Sequence, residues 1–431
     1  MLRVDYNILR FYRQAFFQFI FIVITNELYF IFLYGILFLS STEIEVSMKI
    51  LFIEWASFGN NDIKEAFAAE GHDVVCFPFS NKDARKNTEI EEALTSTLHK
   101  EVPDAVFSFN YFPVVSTACK KENIRYISWI YDSPYVMLYS YTAINSCNEI
   151  YVFDKELYRE FHNAGINTVH YMPMAANTNR LDTLTNSVVK ANTIPYLYNV
   201  SFVGSLYTEE HNFFDRMTSL SDYTKGYLDA IMASQMKVQG YNFIQESLAP
   251  VMDDLYKALP MDPNPDGVET REYLYAQYVI NRKITGLERT DLIRAIAEHF
   301  SFDLFTSNKN FSLPNLTNHG TVDYYNQMPL VFKQSKINLN ISLRSIKSGI
   351  PLRAFDIMGS GGFLLSNYQA DFLDDFVPGE DFVYYESKED LLYKIDYYLT
   401  HEEERAAIAK SGHDKVAANH TFQHRIREML T

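Results

Sequence analysis

From Met48 onward, short apolar runs alternate with amphipathic stretches, the pattern of parallel βαβ units. The runs at 49–54, 73–79, 104–109, 126–131, 149–153 and 169–172 predict strands, and 62–70, 90–99, 114–122 and 155–164 predict the helices between them. Gly71 and Gly165 follow the first and last of these helices as stop signals. Such a series makes one complete doubly wound domain over 48–176. Residues 177–196 are polar, weakly patterned and close on Pro195, so they read as a linker. A second series follows at 197–400. Its strand at 198–203 is followed by Gly204 and Ser205, then by a helical insertion at about 208–299 that breaks over 260–267. Strands resume at 302–306, 337–341, 363–366 and 382–385, and 401–431 reads as charged helix. The expected fold is α/β, with two doubly wound Rossmann-like domains facing across a cleft. Ligands of such folds bind at the carboxyl ends of the strands.

The first 47 residues differ. Residues 11–39 are almost wholly apolar, with Arg3, Arg10 and Arg13 before them and Glu27 near their middle. The length suffices for a bilayer span, and the buried charge opposes one. Two readings stand: a hydrophobic anchor, or an over-extended start whose natural beginning is Met48. Membrane contact is expected only through 11–39.

Hydrophobic residues make up 47% and charged residues 21%, which predicts a cored, ordered chain. Lys plus Arg is 38 and Asp plus Glu is 54, so the net charge is 38 − 54 = −16. That balance excludes a general pull toward nucleic acid and requires any phosphate to be held locally. Phe (33) and Tyr (31) are abundant enough to line a cleft as well as a core. Cys76, Cys119 and Cys147 form neither a disulfide framework nor a metal pair, and a cytoplasmic location is the simplest reading. There is no phosphate-loop motif, H-E-x-x-H, D-x-D or G-x-S-x-G, so neither a metal nor an organic cofactor is expected.

The most informative stretch is 345–362. Gly349 and Pro351 set a turn, after which a helix at 352–358 points its N-terminus into the cleft. Free N–H groups there suit a phosphate, Arg353 could pair with it, and Asp356 could accept hydrogen bonds from two ribose hydroxyls. Gly359, Gly361 and Gly362 would end the helix and let backbone approach a ligand. The same residues also fit an ordinary capped helix with a surface Arg353–Asp356 pair. Asp371, Asp374 and Asp375 read as a solvated helix face.

The stretches 338–342, 349–362, 382–385 and 401–430 resemble the C-terminal domain of GT-B glycosyltransferases, most nearly the spore-maturation CgeB-like group of the family 1-like transferases. Residues 202–207 resemble the first strand and loop of that domain, and 127–134 resemble the accompanying N-terminal half. The resemblance implies a metal-independent, retaining transfer from a nucleoside-diphosphate sugar, the donor substrate, to a carbohydrate or protein acceptor. The family's E-x7-E signature places its second acid, used on the ribose, at Asp356. Its first acid falls on Ser348, a departure that leaves the donor-sugar contact unassigned. The basic pair that holds the diphosphate is not obvious. Arg344, Lys347 and Arg353 are the nearest substitutes, Arg282 and Arg289 weaker ones, and Gly204 and Ser205 would flank the donor.

By the same resemblance, the N-terminal half supplies the acceptor side. Gly59 and Asn60 follow its first strand, and Asn110 and Tyr111 its third. Asp132 is the best general base, although Asp-Ser-Pro is also a common helix-cap sequence. His170 ends the last strand, where a histidine is either structural or catalytic, and His319 with Gly320 could flank the donor. Two alternatives remain at this level: a sugar-nucleotide epimerase or hydrolase, and a non-catalytic nucleotide-sugar-binding protein.

Overall fold

The computed structural model describes residues 47–80, 84–189, 194–208 and 212–431. The apolar stretch 11–39 lies outside the described residues. Among those described, no helix is long and apolar enough to cross a membrane.

The N-terminal lobe is built from β1 (Lys49–Glu54), α1 (Asn60–Ala69), β2 (Asp73–Pro78), α2 (Thr88–Glu101), β3 (Ala105–Phe109), α3 (Pro113–Glu122), β4 (Arg125–Ile130), β5 (Asn148–Val152), α4 (Lys155–Asn163) and β6 (Val169–Tyr171). Its six strands are all parallel in the order β2-β1-β3-β4-β5-β6. The chain leaves β1 for β2 on one side and returns for β3 on the other. The switch point therefore falls between the ends of β1 and β3, where open α/β sheets leave a crevice. β3 reads Ala-Val-Phe-Ser-Phe and is buried throughout, as expected of a central parallel strand covered on both faces.

The stretch expected to be a linker holds a helix, α5 (Thr178–Asn186). Its polar sequence hides the element because local capping carries it. The Asn177 side chain accepts from the Arg180 amide, and only Thr178, Leu181 and Thr185 are buried. The C-terminal lobe begins with β7 (Tyr198–Val203). The insertion is a bundle of short helices rather than one long one: α6 (Asp222–Gln235), α7 (Ile244–Ser247), α8 (Met252–Ala258) and α9 (Arg271–Leu274). A π turn (Tyr275–Ile280) joins α9 to α10 (Asn281–His299). Then come β8 (Phe302–Phe305), β9 (Leu316–Asn318), α11 (Met328–Gln334), β10 (Ser335–Asn340), α12 (Leu352–Gly359), β11 (Leu364–Asn367), α13 (Phe372–Asp375), β12 (Val383–Tyr385), α14 (Lys388–Thr400), α15 (Glu402–Asn419) and α16 (Phe422–Leu430). The second sheet is parallel in the order β12-β11-β10-β7-β8-β9, so its switch point lies between β7 and β10. β9 and α11 escape the apolar pattern because β9 is three residues of Leu-Thr-Asn and α11 opens on Met-Pro.

α16 crosses back to the first lobe. Phe422 packs edge-on against Phe109 and Trp129, the Arg425 guanidinium donates to the carbonyls of Pro173 and Met174, and Arg125 donates to the Met429 carbonyl. One apolar core runs through both lobes, from Phe52, Phe107 and Trp129 to Ala354, Phe355 and Met358. The lobes thus share a buried seam instead of meeting only at a linker.

Candidate functional site

Each switch point is open to the gap between the lobes. On the C-terminal side, Gly204 and Ser205 leave β7 while Thr306 and Ser307 leave β8. A cavity of about 250 Å³ lies there, bounded by these loops, by Val322 and Tyr324, and by Leu352, Arg353 and Asp356 of α12. Phe58 reaches it from the N-terminal lobe and packs 5.2 Å from the Tyr324 ring. Pro351 sits at the cap position, one residue before the helix proper, and makes no side-chain cap. The first turn of α12 therefore faces the cavity with amide groups that no side chain caps.

Asp356 is 4% exposed. Its Oδ1 accepts from the Tyr324 hydroxyl at 3.1 Å, and its Oδ2 has no hydrogen-bond partner. The Arg353 Nε, 3.9 Å from that oxygen, is likewise without a partner, although the other end of the guanidinium donates to the Val203 carbonyl at 3.2 Å. Burial raises the Asp356 carboxyl to about 6, against the opposing pull of Arg353. A buried carboxylate oxygen without a protein partner is costly and calls for a hydrogen-bond donor from a water or a ligand.

The other expected donor residues are elsewhere. Arg344 is bound bidentately to Glu288 at 2.5 and 2.8 Å and donates to the carbonyls of Val238 and Met236, so it ties the insertion to the sheet. Lys347 Nζ pairs with Glu160 at 2.8 Å across the lobes. Ser348 is buried against Asp154: its amide and hydroxyl reach that carboxylate at 3.2 and 3.0 Å. Arg289 is buried and donates to the carbonyls of Ser205 and Ile341, bracing the two loops of the switch point from α10. Gly361 and Gly362 face α11 and β10 instead of the cavity, where added Cβ atoms would meet Lys333 Nζ and Asn338 Nδ2. They end α12 in a Schellman turn, with Gly362 N–H to the Ile357 carbonyl and Gly361 N–H to that of Met358. Arg282 lines an adjoining cavity of about 470 Å³ that shares Ser205 with the first.

On the acceptor side, Asp132 follows β4 and caps no helix. Its Oδ2 accepts from Asn110 Nδ2 at 2.7 Å, while Asn110 Oδ1 takes the amides of Tyr131 and Asp132 at 3.2 and 3.4 Å. Asn110 is buried with φ +60°, a left-handed conformation that asparagine tolerates better than most residues, and it holds Asp132 at the cleft mouth. Surrounding protein raises the Asp132 carboxyl, and the Asn110 hydrogen bond and, less so, Arg282 partly offset this. Gly59 has φ +82° and starts α1, and Asn60 donates to the Trp55 carbonyl within the same turn. Tyr111 is fully buried, with its hydroxyl on Thr142, so it belongs to the core and not the cleft. His170 is exposed on the edge strand β6, tilted against Tyr151, and lines neither cavity. His319 pairs with Asp303 at 2.8 Å and stacks on Phe305, while Thr321 and Val322 beyond it line the cavity. The acidic cluster is a solvated face only in part: Asp374 and Asp375 are exposed, whereas Asp371 is buried, accepts from the Lys155 amide at 3.0 Å and is pushed up by burial to about 6.

Phe58, Thr306, Ser307 and Tyr324 were missed. Thr306 and Ser307 end a predicted strand at the edge where ligands bind, and that position was the available signal. Phe58 shares the turn after the first strand with Gly59 and Asn60, so position was its signal too, and Tyr324 offered only its place among many aromatics. Among the described residues, no three His, Cys, Asp or Glu side chains converge as a metal site.

Two parallel, doubly wound lobes with opposed switch points define the GT-B architecture. Residues 287–431 match the family model described as glycosyl transferase-like. No curated protein matches the chain by sequence. The chain is similar in structure to a UDP-forming α,α-trehalose-phosphate synthase from Burkholderia xenovorans, at 10% identity and TM-score 0.50 over 89% of this chain and 99% of that one. It also aligns with a glycosyltransferase from Rickettsia africae ESF-5 (13% identity, 89% and 97% covered, TM-score 0.47). A third alignment is with Anabaena Alr3699/HepE in complex with UDP-glucose (10%, 89% and 99%, TM-score 0.49).

Proposed function

We propose that the protein transfers a sugar from a nucleoside-diphosphate donor, held in the C-terminal lobe, to an acceptor brought by the N-terminal lobe. The single observation that carries the donor site is the half-satisfied Asp356 carboxylate on the wall of a switch-point cavity. Its free oxygen suits a ribose hydroxyl. The uncapped first turn of α12, with Arg353 beside it, suits the diphosphate. The positive charge that stabilises the departing diphosphate then comes from the protein itself, which makes the transfer metal-independent in this reading. Asp132 would orient or deprotonate an acceptor hydroxyl in this reading, which its hold by Asn110 supports. Retention of configuration, and kinship with the CgeB-like transferases through 127–134 and 202–207, follow from the sequence resemblance.

Asp356→Asn keeps the shape and removes the charge. Hydrogen bonds to a charged group contribute about 1.5–3 kcal/mol each, so nucleoside-diphosphate affinity should fall at least tenfold by calorimetry. Unchanged affinity across UDP, GDP and ADP would remove the donor assignment. Release of sugar from a nucleotide sugar without acceptor, at a rate unaltered by acceptor candidates, would favour a hydrolase.

A further inference from the structure

The second cavity raises a separate question, because it is basic and aromatic in a chain whose net charge is −16. Its wall comes from the insertion and the start of α10. Arg216 lies 5.1 Å over the Phe213 ring and Arg282 5.3 Å over Tyr207, and neither makes a hydrogen bond or ion pair with another residue. Lys283, 5.0 Å over Phe214, shares its charge with Asp215 at 2.9 Å. Arg216 and Arg282 are exposed at the cavity rim, whereas the buried guanidinium groups of this lobe are engaged within the protein: Arg344 by Glu288, and Arg289 by two carbonyls. Two guanidinium groups without a hydrogen-bonded or ion-paired partner, each over an aromatic ring, offer a receptor for an anion.

Position selects which anion. The cavity meets the donor cavity at Ser205. Its Tyr278 accepts from the Val136 amide, in the loop that follows Asp132, and the charge of Arg282 is felt by the Asp132 carboxyl. The donor diphosphate already has the α12 N-terminus and Arg353. We infer that this cavity holds the anionic group, phosphate or carboxylate, of an acidic acceptor, with Arg216 and Arg282 on the charge and Tyr207 and Tyr278 against the acceptor's apolar faces. The inference rests on the donor reading above and adds the acceptor's chemical class to it.

The test uses the full chain saturated with whichever of UDP, GDP or ADP binds it. Glucose 6-phosphate, glucuronate and glucose are then titrated as probes. At least one charged sugar should bind tenfold or more tightly than glucose, and this preference should shrink as salt rises. Arg216→Gln combined with Arg282→Gln should abolish the preference while nucleotide affinity stays within twofold, and the paired Lys variants should retain it. Equal binding of charged and neutral sugars would overturn the inference alone. So would a tenfold loss of nucleotide affinity in the double Gln variant, which would assign the arginines to the donor diphosphate. If wild type bound none of the three nucleotides, the donor reading would fall instead.

Discussion

Asp154 and Asp356 are both buried carboxylates at the meeting of the lobes, and they differ in how they are satisfied. Asp154 accepts five hydrogen bonds: the amides of Glu156 and Leu157, which it caps, and the amides of Lys347 and Ser348 together with the Ser348 hydroxyl from the opposite lobe. Asp356 accepts one and keeps an idle oxygen on a cavity wall. The first arrangement is saturated within the protein, and the second leaves acceptor capacity on a cavity wall, which is what the proposed donor site uses. The contrast also explains the departure at Ser348. Ser348, where the sequence resemblance would put a sugar-contacting acid, is here turned into the other lobe, where the Asp154 carboxylate already stands.

Restoring that acid should therefore produce the largest effect. Ser348→Glu would press a second carboxylate against Asp154 in a buried seam. Uncompensated buried charge costs about 3–5 kcal/mol, so the urea midpoint should drop sharply with no gain in donor turnover. A variant of ordinary stability and raised activity would show that the loop at 345–350 leaves Asp154 during the reaction cycle. Asp154→Ala comes next. It removes a helix cap and strands two amides and a hydroxyl of the partner lobe, at about 2–4 kcal/mol in all. Its particular signature is a larger radius of gyration in solution scattering while nucleotide affinity persists.

Much of this was legible in the chain. The strand at 49–54, the β7 strand and the Gly-rich end of α12 could be read because apolar runs and glycine stops are local signals. Asp356 could be read because a helix N-terminus and a carboxylate one turn on form a local constellation. Lobe-to-lobe pairing could not. Arg344 and Lys347 look as available as Arg353 until Glu288 and Glu160 arrive from remote positions. Asp371 looks solvated until the Lys155 amide covers it. His170 looks like a strand-end histidine, and only the strand order shows that β6 is an edge.

A smaller effect separates ligand affinity from stability at Asp356. A carboxyl raised from 3.8 to about 6 favours folding in its protonated form. That contribution is complete below pH 4 and is lost as pH rises through about 6. The span is roughly 2 pH units, or about 3 kcal/mol as an upper bound. Asp356→Asn should therefore melt no lower than wild type at pH 7.5, and the advantage should vanish near pH 4. Nucleotide affinity of the wild type should run the other way, weakening as pH falls from 7 to 5. If Asp356→Asn melts lower at pH 7.5, the carboxylate holds the fold together instead of waiting for a ligand.

The smallest effect comes from one of two glycines on the same segment, and the other sets its scale. Gly361 has φ +67°, and a Cβ there would lie 2.6 Å from the flexible tip of Lys333, which can move aside. Gly361→Ala should thus cost only the left-handed backbone penalty, about 1 kcal/mol, with no effect on the lobes. Gly349 has no such conformational demand, yet its Cβ would sit 2.8 Å from both the Phe153 ring and its main-chain oxygen, and 2.9 Å from the Asp154 Cα. Backbone cannot step aside, so Gly349→Ala must push the lobes apart. It should cost more than Gly361→Ala in urea and reproduce the expansion expected of Asp154→Ala. Equal costs for the two alanines, with unchanged scattering, would mean that the seam yields easily and that Asp154 is a helix cap and nothing more.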